Sequence, residues 1–193
     1  MVQLRMKSAD DAEIVAAAQR FKRVCAAYGA LLMLNDRPDL VTGAGADGVH
    51  VGQDDVPVGQ ARQMVGPELL VGLSTHSPEQ VELAGETDVD YIGVGPVYET
   101  PTKPGRPAVG LELVRYAAAH ARVPFFAIGG ISAGNVSQVR EAGATRIAVV
   151  RALTEAADPE RAAGELREGL GLAAERREAG VSFRSGEARV GSA

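Results

Sequence analysis

Gly48-Val49-His50-Val51-Gly52-Gln53-Asp54-Asp55-Val56-Pro57-Val58 (residues 48–58) sets a short apolar run, a polar loop and a helix start in succession. The run 48–51 suits a buried strand. Pro57 suits the first turn of a helix over 57–65, where a missing N–H is no loss. The same unit recurs on both sides. A helical stretch over 10–28 closes at Gly29 and leads into the strand Leu31-Leu32-Met33-Leu34, and a short helix follows over 37–44. Further on, Leu70-Val71-Gly72-Leu73 precedes Ser77-Pro78, an N-cap with proline at the first helical position, and a helix to Ala84. Tyr91-Ile92-Gly93-Val94 and the run 124–128 are strands, followed by helices over 111–121 and 132–142 respectively. The run 146–150 is the last strand and 159–170 the last strong helix.

Counting 2–6 as the first strand gives seven alternating units of one domain. Short apolar strands alternating with helices imply a parallel sheet. The pattern alone allows an open doubly wound sheet or a closed barrel. An eight-unit barrel takes about 250 residues, and compact ones nearer 200. Residues 1–172 are therefore expected to form one domain, and the charged, glycine-containing stretch 173–193 a disordered tail.

The 193 residues carry a net charge of −5 with no basic block, which argues against nucleic acid as a partner. No apolar run approaches the ~20 residues that span a bilayer, and residues 1–7 lack a signal-peptide core. The one cysteine, Cys25, excludes a disulfide framework and reads as a small buried hydrophobe. A cytoplasmic protein acting on small molecules, with a homo-oligomer allowed, is expected. Gly43-x-Gly45-x-x-Gly48 matches a dinucleotide fingerprint by letter but follows a helix and precedes a strand, so it reads as a C-cap and turn.

Residues with chemical potential fall in the loops after strands, where parallel folds build their sites. Gln3, Arg5 and Lys7 alternate along the first strand and share a face. They form either a polar edge or an inward clamp for an anion; the burial needs of Val2, Leu4 and Met6 favour the clamp. Asn35-Asp36 and Gln53-Asp54-Asp55 follow two neighbouring strands. Each aspartate alone is more often a helix cap than a ligand. Their recurrence beside cations raises the Mg²⁺ reading, since Mg²⁺ is held by one or two carboxylates together with phosphates. The loop 95–105 carries Thr100, Thr102 and Lys103, good partners for phosphate oxygens. Gly129-Gly130 lets backbone N–H groups approach an anion, and Val150-Arg151 supplies the adjoining edge. His50 reads as a strand-end packing residue, His120 as a helix-end cation, and His76 as a loop-orienting group.

Taken in order, Gln3-Leu4-Arg5-Met6-Lys7, Asn35-Asp36, 50–55, Gly72-Leu73-Ser74-Thr75-His76, 95–103 and 127–131 resemble the thiamine phosphate synthase family, over about residues 2–170. The resemblance implies a TIM (β/α)₈ barrel whose first strand–helix unit precedes this chain, with Met1 an internal methionine. It implies a Mg²⁺-dependent transferase joining hydroxymethylpyrimidine diphosphate to a thiazole phosphate, by departure of diphosphate and attack of the thiazole nitrogen. By position, Gln3, Leu4, Arg5, Met6, Lys7, Asn35, Ser74 and Lys103 would bind the pyrimidine diphosphate, with Arg5, Lys7, Ser74 and Lys103 catalytic. Thr100, Pro101, Thr102, Gly130, Val150 and Arg151 would bind the thiazole phosphate, and Asp36 and Asp55 the metal. Met6 stands where the family often has an acid, and Arg151 where it often has serine. Rival readings are a thiazole tautomerase of the same barrel, without metal-binding aspartates, a sugar-phosphate barrel, and an N-terminally truncated, inactive ligand-binding homologue.

Overall fold

The computed structural model describes residues 1–100 and 107–172. The expected tail lies outside them. The strands are β1 (Val2–Leu4), β2 (Leu32–Asn35), β3 (Gly48–Val51), β4 (Leu70–Thr75), β5 (Tyr91–Val94), β6 (Phe125–Ile128) and β7 (Ile147–Ala148). The helices are α1 (Asp11–Ala27), α2 (Val41–Ala44), α3 (Val58–Val65), α4 (Pro78–Ala84), α5 (Gly110–His120), α6 (Val136–Glu141), α7 (Arg151–Thr154) and α8 (Pro159–Gly169).

Every neighbouring strand pair is parallel, and the order across the sheet is the order in the chain. A doubly wound sheet reverses direction at a switch point. Sequential order instead curls the sheet in one direction, so the fold is of the TIM-barrel type.

The strands alternate cleanly between two faces. Leu32, Leu34, Val49, Val51, Val71, Leu73, Ile92 and Val94 are buried in one cluster with helix residues such as Ala18, Ala61, Val81 and Leu113. The other face carries Met33, His50, Tyr91 and Phe126 beside glycines 48, 72 and 93. Large side chains there occupy space that a neighbouring glycine leaves open. A Cβ at Gly48 would sit 2.7 Å from Met33 Cε.

Local chemistry explains the helix starts. Asp10 accepts from the Glu13 N–H at 2.8 Å, and the Glu13 carboxylate accepts from the Asp10 N–H at 3.2 Å, a reciprocal capping box. Ser77 caps α4 ahead of Pro78, as expected. Gly45, at φ +65°, ends α2, which supports the C-cap reading over the dinucleotide one. The helix expected over 37–44 is a 3₁₀ turn, Pro38–Leu40, followed by one turn of α-helix. The first strand stops at Leu4, where its pairing with β2 stops, rather than running to Met6.

The amino-terminal rim is fastened by the same device twice. Asp47, just before β3, accepts from the Leu32 N–H at 2.7 Å and pairs with Lys22. Asp90, just before β5, accepts from the Val71 N–H at 2.7 Å and pairs with Arg62 at 2.6 Å. Arg62 also donates to the carbonyls of Gly66, Leu69 and Asp88. Asp90→Ala removes the acceptor of a strand N–H and the partner of a mostly buried guanidinium. It is expected to destabilise the fold by about 2 kcal/mol in urea melts while leaving ligand affinity unchanged.

Candidate active site

All seven strands run the same way, so every post-strand loop lies on one rim. Several of the described site residues named from sequence gather there in two groups. Gln3, Asn35, Asp36 and Lys7 form a chain of polar contacts across β1 and β2. Gln3 Nε2 donates to Asn35 Oδ1 at 2.9 Å, Asn35 Nδ2 donates to Asp36 Oδ2 at 2.6 Å, and Lys7 Nζ pairs with that oxygen at 2.9 Å. The anion clamp expected on an inward face of β1 takes another form. Arg5 and Lys7 lie beyond the strand and are exposed, and Lys7 already has a carboxylate partner. Leu4 and Met6 are half-buried.

The second group surrounds a cavity of about 330 Å³. Ser74 from β4, Thr100 from the β5 loop, Gly130 from the β6 loop, and Val150 and Arg151 at β7 and α7 all line it. His76, Gly95, Pro96, Gly129, Ser132 and Glu155 share the lining. Arg151 stands 3.9 Å from Glu155. Pro101, Thr102 and Lys103 lie outside the described residues.

The Gly129-Gly130 turn has a steric reason. Both residues have positive φ, +103° and +64°. A Cβ on Gly129 would lie 2.5 Å from Pro96 Cβ, and one on Gly130 2.7 Å from Tyr98 Cβ. The β5 and β6 loops can therefore join only through glycine, with Tyr98 N–H donating to Gly129 O at 3.0 Å. The glycines do not abut a helix N-terminus, as the sequence suggested: α6 begins only at Val136. Asn135 bridges the interval. It accepts from the Ser132 N–H at 2.8 Å and donates to Gly130 O at 2.9 Å.

Strand β3 connects the two groups. Gln53 Nε2 donates to Ser74 O at 2.6 Å, and His50 Nε2 lies 2.9 Å from Ser74 Oγ. His50 Nδ1 lies 3.1 Å from the Tyr91 hydroxyl, and burial pushes that phenol well above its usual range. The sequence reads His50 as a strand-end packing residue. Its partners include Ser74 and Tyr91, far along the chain, and only strand register brings them together. His76 contacts Gly95 O through Nδ1, and its N–H donates to Gln80 at 2.7 Å, in keeping with a loop-orienting role.

Asp36 has φ +61°, the one positive φ outside glycine among the described residues. Its N–H donates to His50 O at 2.8 Å, which fastens this left-handed residue between two strand ends. Asp55 lies in the loop after the neighbouring strand and accepts from the Gly52 N–H at 2.9 Å. Among the described residues no group of three or more His, Cys, Asp and Glu side chains is arranged to hold a metal ion. Two carboxylates remain a sufficient protein contribution for Mg²⁺ when phosphates supply other oxygens. Each carboxylate has about four acceptor positions, and the contacts above use only some of them.

Fold and rim together describe a TIM-barrel-type protein with a polar site at the carboxyl ends of its strands. Residues 1–153 match the family described as thiamine monophosphate synthase, and the chain belongs to that family. Thiamine-phosphate synthase of Thermus thermophilus is 53% identical over 171 residues, 88% of this chain and 82% of the relative. That of Acidothermus cellulolyticus is 51% identical over 176 residues, 90% and 83% of the two chains. That of Thermosynechococcus vestitus is 49% identical over 166 residues, 86% of this chain and 47% of the relative. The chain spans about half the length of the first curated relatives it matches. The solved thiamine phosphate pyrophosphorylase from Pyrococcus furiosus superposes with a TM-score of 0.80 at 32% identity, covering 88% of this chain and 81% of its own. A 3-hexulose-6-phosphate synthase, at TM-score 0.63, 22% identity and 86% and 85% coverage, shares the fold.

The backbone at residue 36 gives a test of what its carboxylate is for. Glycine relieves the left-handed strain, whereas alanine keeps it, and the half-exposed Lys7 pair adds little. In urea melts Asp36→Gly is expected to be about 0.5–1 kcal/mol more stable than Asp36→Ala, and no less stable than the parent. A parent clearly more stable than Asp36→Gly would show that the carboxylate is kept for folding.

Proposed function

We propose that this chain condenses hydroxymethylpyrimidine diphosphate with a thiazole phosphate to give thiamine phosphate and diphosphate, a Mg²⁺-dependent transferase reaction of thiamine biosynthesis. The observation that carries the reading is the gathering of Ser74, Thr100, Gly130 and Arg151 around one cavity, on the same rim as the Lys7–Asp36–Asn35–Gln3 network, in a member of this family. Relatives that cover most of this chain and most of their own length carry the synthase name, which favours this reading over the tautomerase one.

In this reading Gln3, Leu4, Arg5, Met6, Lys7, Asn35, Ser74 and Lys103 hold the pyrimidine diphosphate. Thr100, Pro101, Thr102, Gly130, Val150 and Arg151 hold the thiazole phosphate. The bond from the pyrimidine methylene carbon to the diphosphate oxygen breaks with its electron pair on oxygen, and the thiazole nitrogen then bonds to that carbon. No side-chain nucleophile is required. Arg5, Lys7, Ser74 and Lys103 stabilise the charge that builds on the departing diphosphate, and the cavity walls orient the two rings. Asp36 and Asp55 hold Mg²⁺, which when bound supplies Lewis-acid charge to phosphate oxygens. Arg151, at a position where the family often has serine, offers a planar cationic fork to the thiazole phosphate. The protein acts in the cytoplasm on small molecules, without nucleic acid or membrane, and a homo-oligomer fits this role. No helix among the described residues is long and apolar enough to cross a membrane.

The test is chromatographic detection of thiamine phosphate from the two substrates, with Mg²⁺ and with excess EDTA. Product is expected only with Mg²⁺. Absence of product under both conditions rejects the reading. Asp36→Ala and Asp55→Ala are each expected to lower kcat by about 10²-fold or more at moderate Mg²⁺. Unchanged rates would remove the metal assignment. Lys103→Ala is expected to slow the diphosphate-dependent step; a change confined to thiazole phosphate affinity would show that Lys103 is wrongly assigned.

A further inference from the structure

One row of the sheet runs Asn35, His50, Gly72, Tyr91 from β2 to β5. His50 and Tyr91 are two strands apart, roughly 9–10 Å between backbones, with β4 between them. Their rings meet because the residue between them has no side chain. A Cβ on Gly72 would lie 2.2 Å from Tyr91 Cζ, 2.5 Å from its hydroxyl oxygen and 2.6 Å from His50 Nδ1. Over that gap Tyr91 contacts Nδ1 at 3.1 Å, and Nε2 contacts Ser74 Oγ at 2.9 Å. All three side chains are buried. Phe126 packs edge-on against the Tyr91 ring and holds it in place.

The direction of this chain follows from the inventory of hydrogens. Burial keeps the Tyr91 phenol protonated. Among the described residues its hydroxyl has one hydrogen-bond partner, His50 Nδ1. A buried O–H with a single acceptor donates to it. Nδ1 is then the accepting nitrogen, and the imidazole hydrogen sits on Nε2, where it donates to Ser74 Oγ. The Ser74 hydrogen is left to point into the cavity. The reverse direction would strand a phenolic hydrogen in the interior. It would also turn the Ser74 hydrogen onto the ring, leaving only lone pairs to face an anion.

We propose that Tyr91 and His50 are positioning residues that fix Ser74 as a hydrogen-bond donor toward an anionic oxygen in the cavity. The identity of that oxygen, on the diphosphate, rests on the function proposed above; the direction of the chain does not.

The experiment has two arms on the intact protein. The first is ¹⁵N NMR of labelled histidine at mildly alkaline pH, with the His50 signals assigned from their loss in His50→Gln. The expected spectrum has the hydrogen on Nε2 and a bare Nδ1, and Tyr91→Phe is expected to move the ring toward a mixture. A hydrogen on Nδ1 in the parent overturns the proposal. The second arm is calorimetric binding of inorganic diphosphate with Mg²⁺. His50→Asn, too short to reach Ser74, is expected to weaken binding about tenfold, the worth of one hydrogen bond. His50→Gln places an amide donor near the Nε2 position and is expected to stay within about threefold of the parent. Equal weakening in both variants overturns the positioning role. An Nε2–H tautomer with this binding pattern, but no thiamine phosphate formed, sinks the proposed reaction and leaves the proposal standing. Product formation by a protein with the reversed tautomer does the opposite.

Discussion

A parallel ladder obliges every strand to start on one rim and finish on the other. With helices packed on one face, the strands present mainly aliphatic side chains to it: the outward residues of β2 to β5 are Leu, Val and Ile up to Thr75 at the end of β4, whose hydroxyl donates to Gly93 O. Polar chemistry is thereby confined to the inner face and the two rims. The molecule divides these between tasks. The amino-terminal rim holds Asp47, Asp90 and Arg62, whose carboxylates and guanidinium satisfy strand N–H groups and loop carbonyls. The carboxyl-terminal rim holds the cavity and the charged network. Fastening at one end leaves the other free to keep strained or exchangeable contacts.

The rim charges illustrate this. Lys7 pairs with Asp36, and Arg151 stands near Glu155. Lys7 and Arg151 are both about half exposed. Exposed pairs of this kind are worth about 0–1 kcal/mol. A phosphate-bearing ligand that takes over either cation displaces a weak partner and forms charge-assisted bonds worth about 1.5–3 kcal/mol each. The pairs hold the cations in place without competing seriously for them. Asp36 differs: its backbone is held in the left-handed region by a strand hydrogen bond, so the direction in which its side chain leaves the backbone is set by the fold.

The alternation of units, the Ser77-Pro78 cap and the burial of Cys25 were legible in the sequence, because each is set by residues within a few positions of one another. What was not legible depends on pairing. Alternation through Lys7 resembles a strand, yet β1 has partners only from Val2 to Leu4, so Arg5 and Lys7 leave the sheet. Gly129-Gly130 resembles a helix entrance, but Asn135 builds a turn first. His50 showed no partner pattern because Ser74 and Tyr91 come from different strands. The rim motifs themselves were readable in order. That Ser74, Thr100, Gly130 and Arg151 share one cavity could be seen only once β4 to β7 were placed side by side.

The inner face shows why glycine rather than any small residue was required there. Gly48 leaves space for Met33, Gly72 for the His50–Tyr91 contact, and Gly95 for the Ile128 carbonyl, which a Cβ would approach to 2.0 Å. Alanine would intrude at each, since the limiting distances fall below any real Cβ contact. A face built this way is filled by side chains that cross from one strand to another rather than standing on their own. Each large group is then located by two or three strands at once, and its position is as well fixed as the register of the sheet. For Ser74, whose hydroxyl is reached through His50 from β3 and Tyr91 from β5, aim is therefore set by the same backbone pairing that sets the fold.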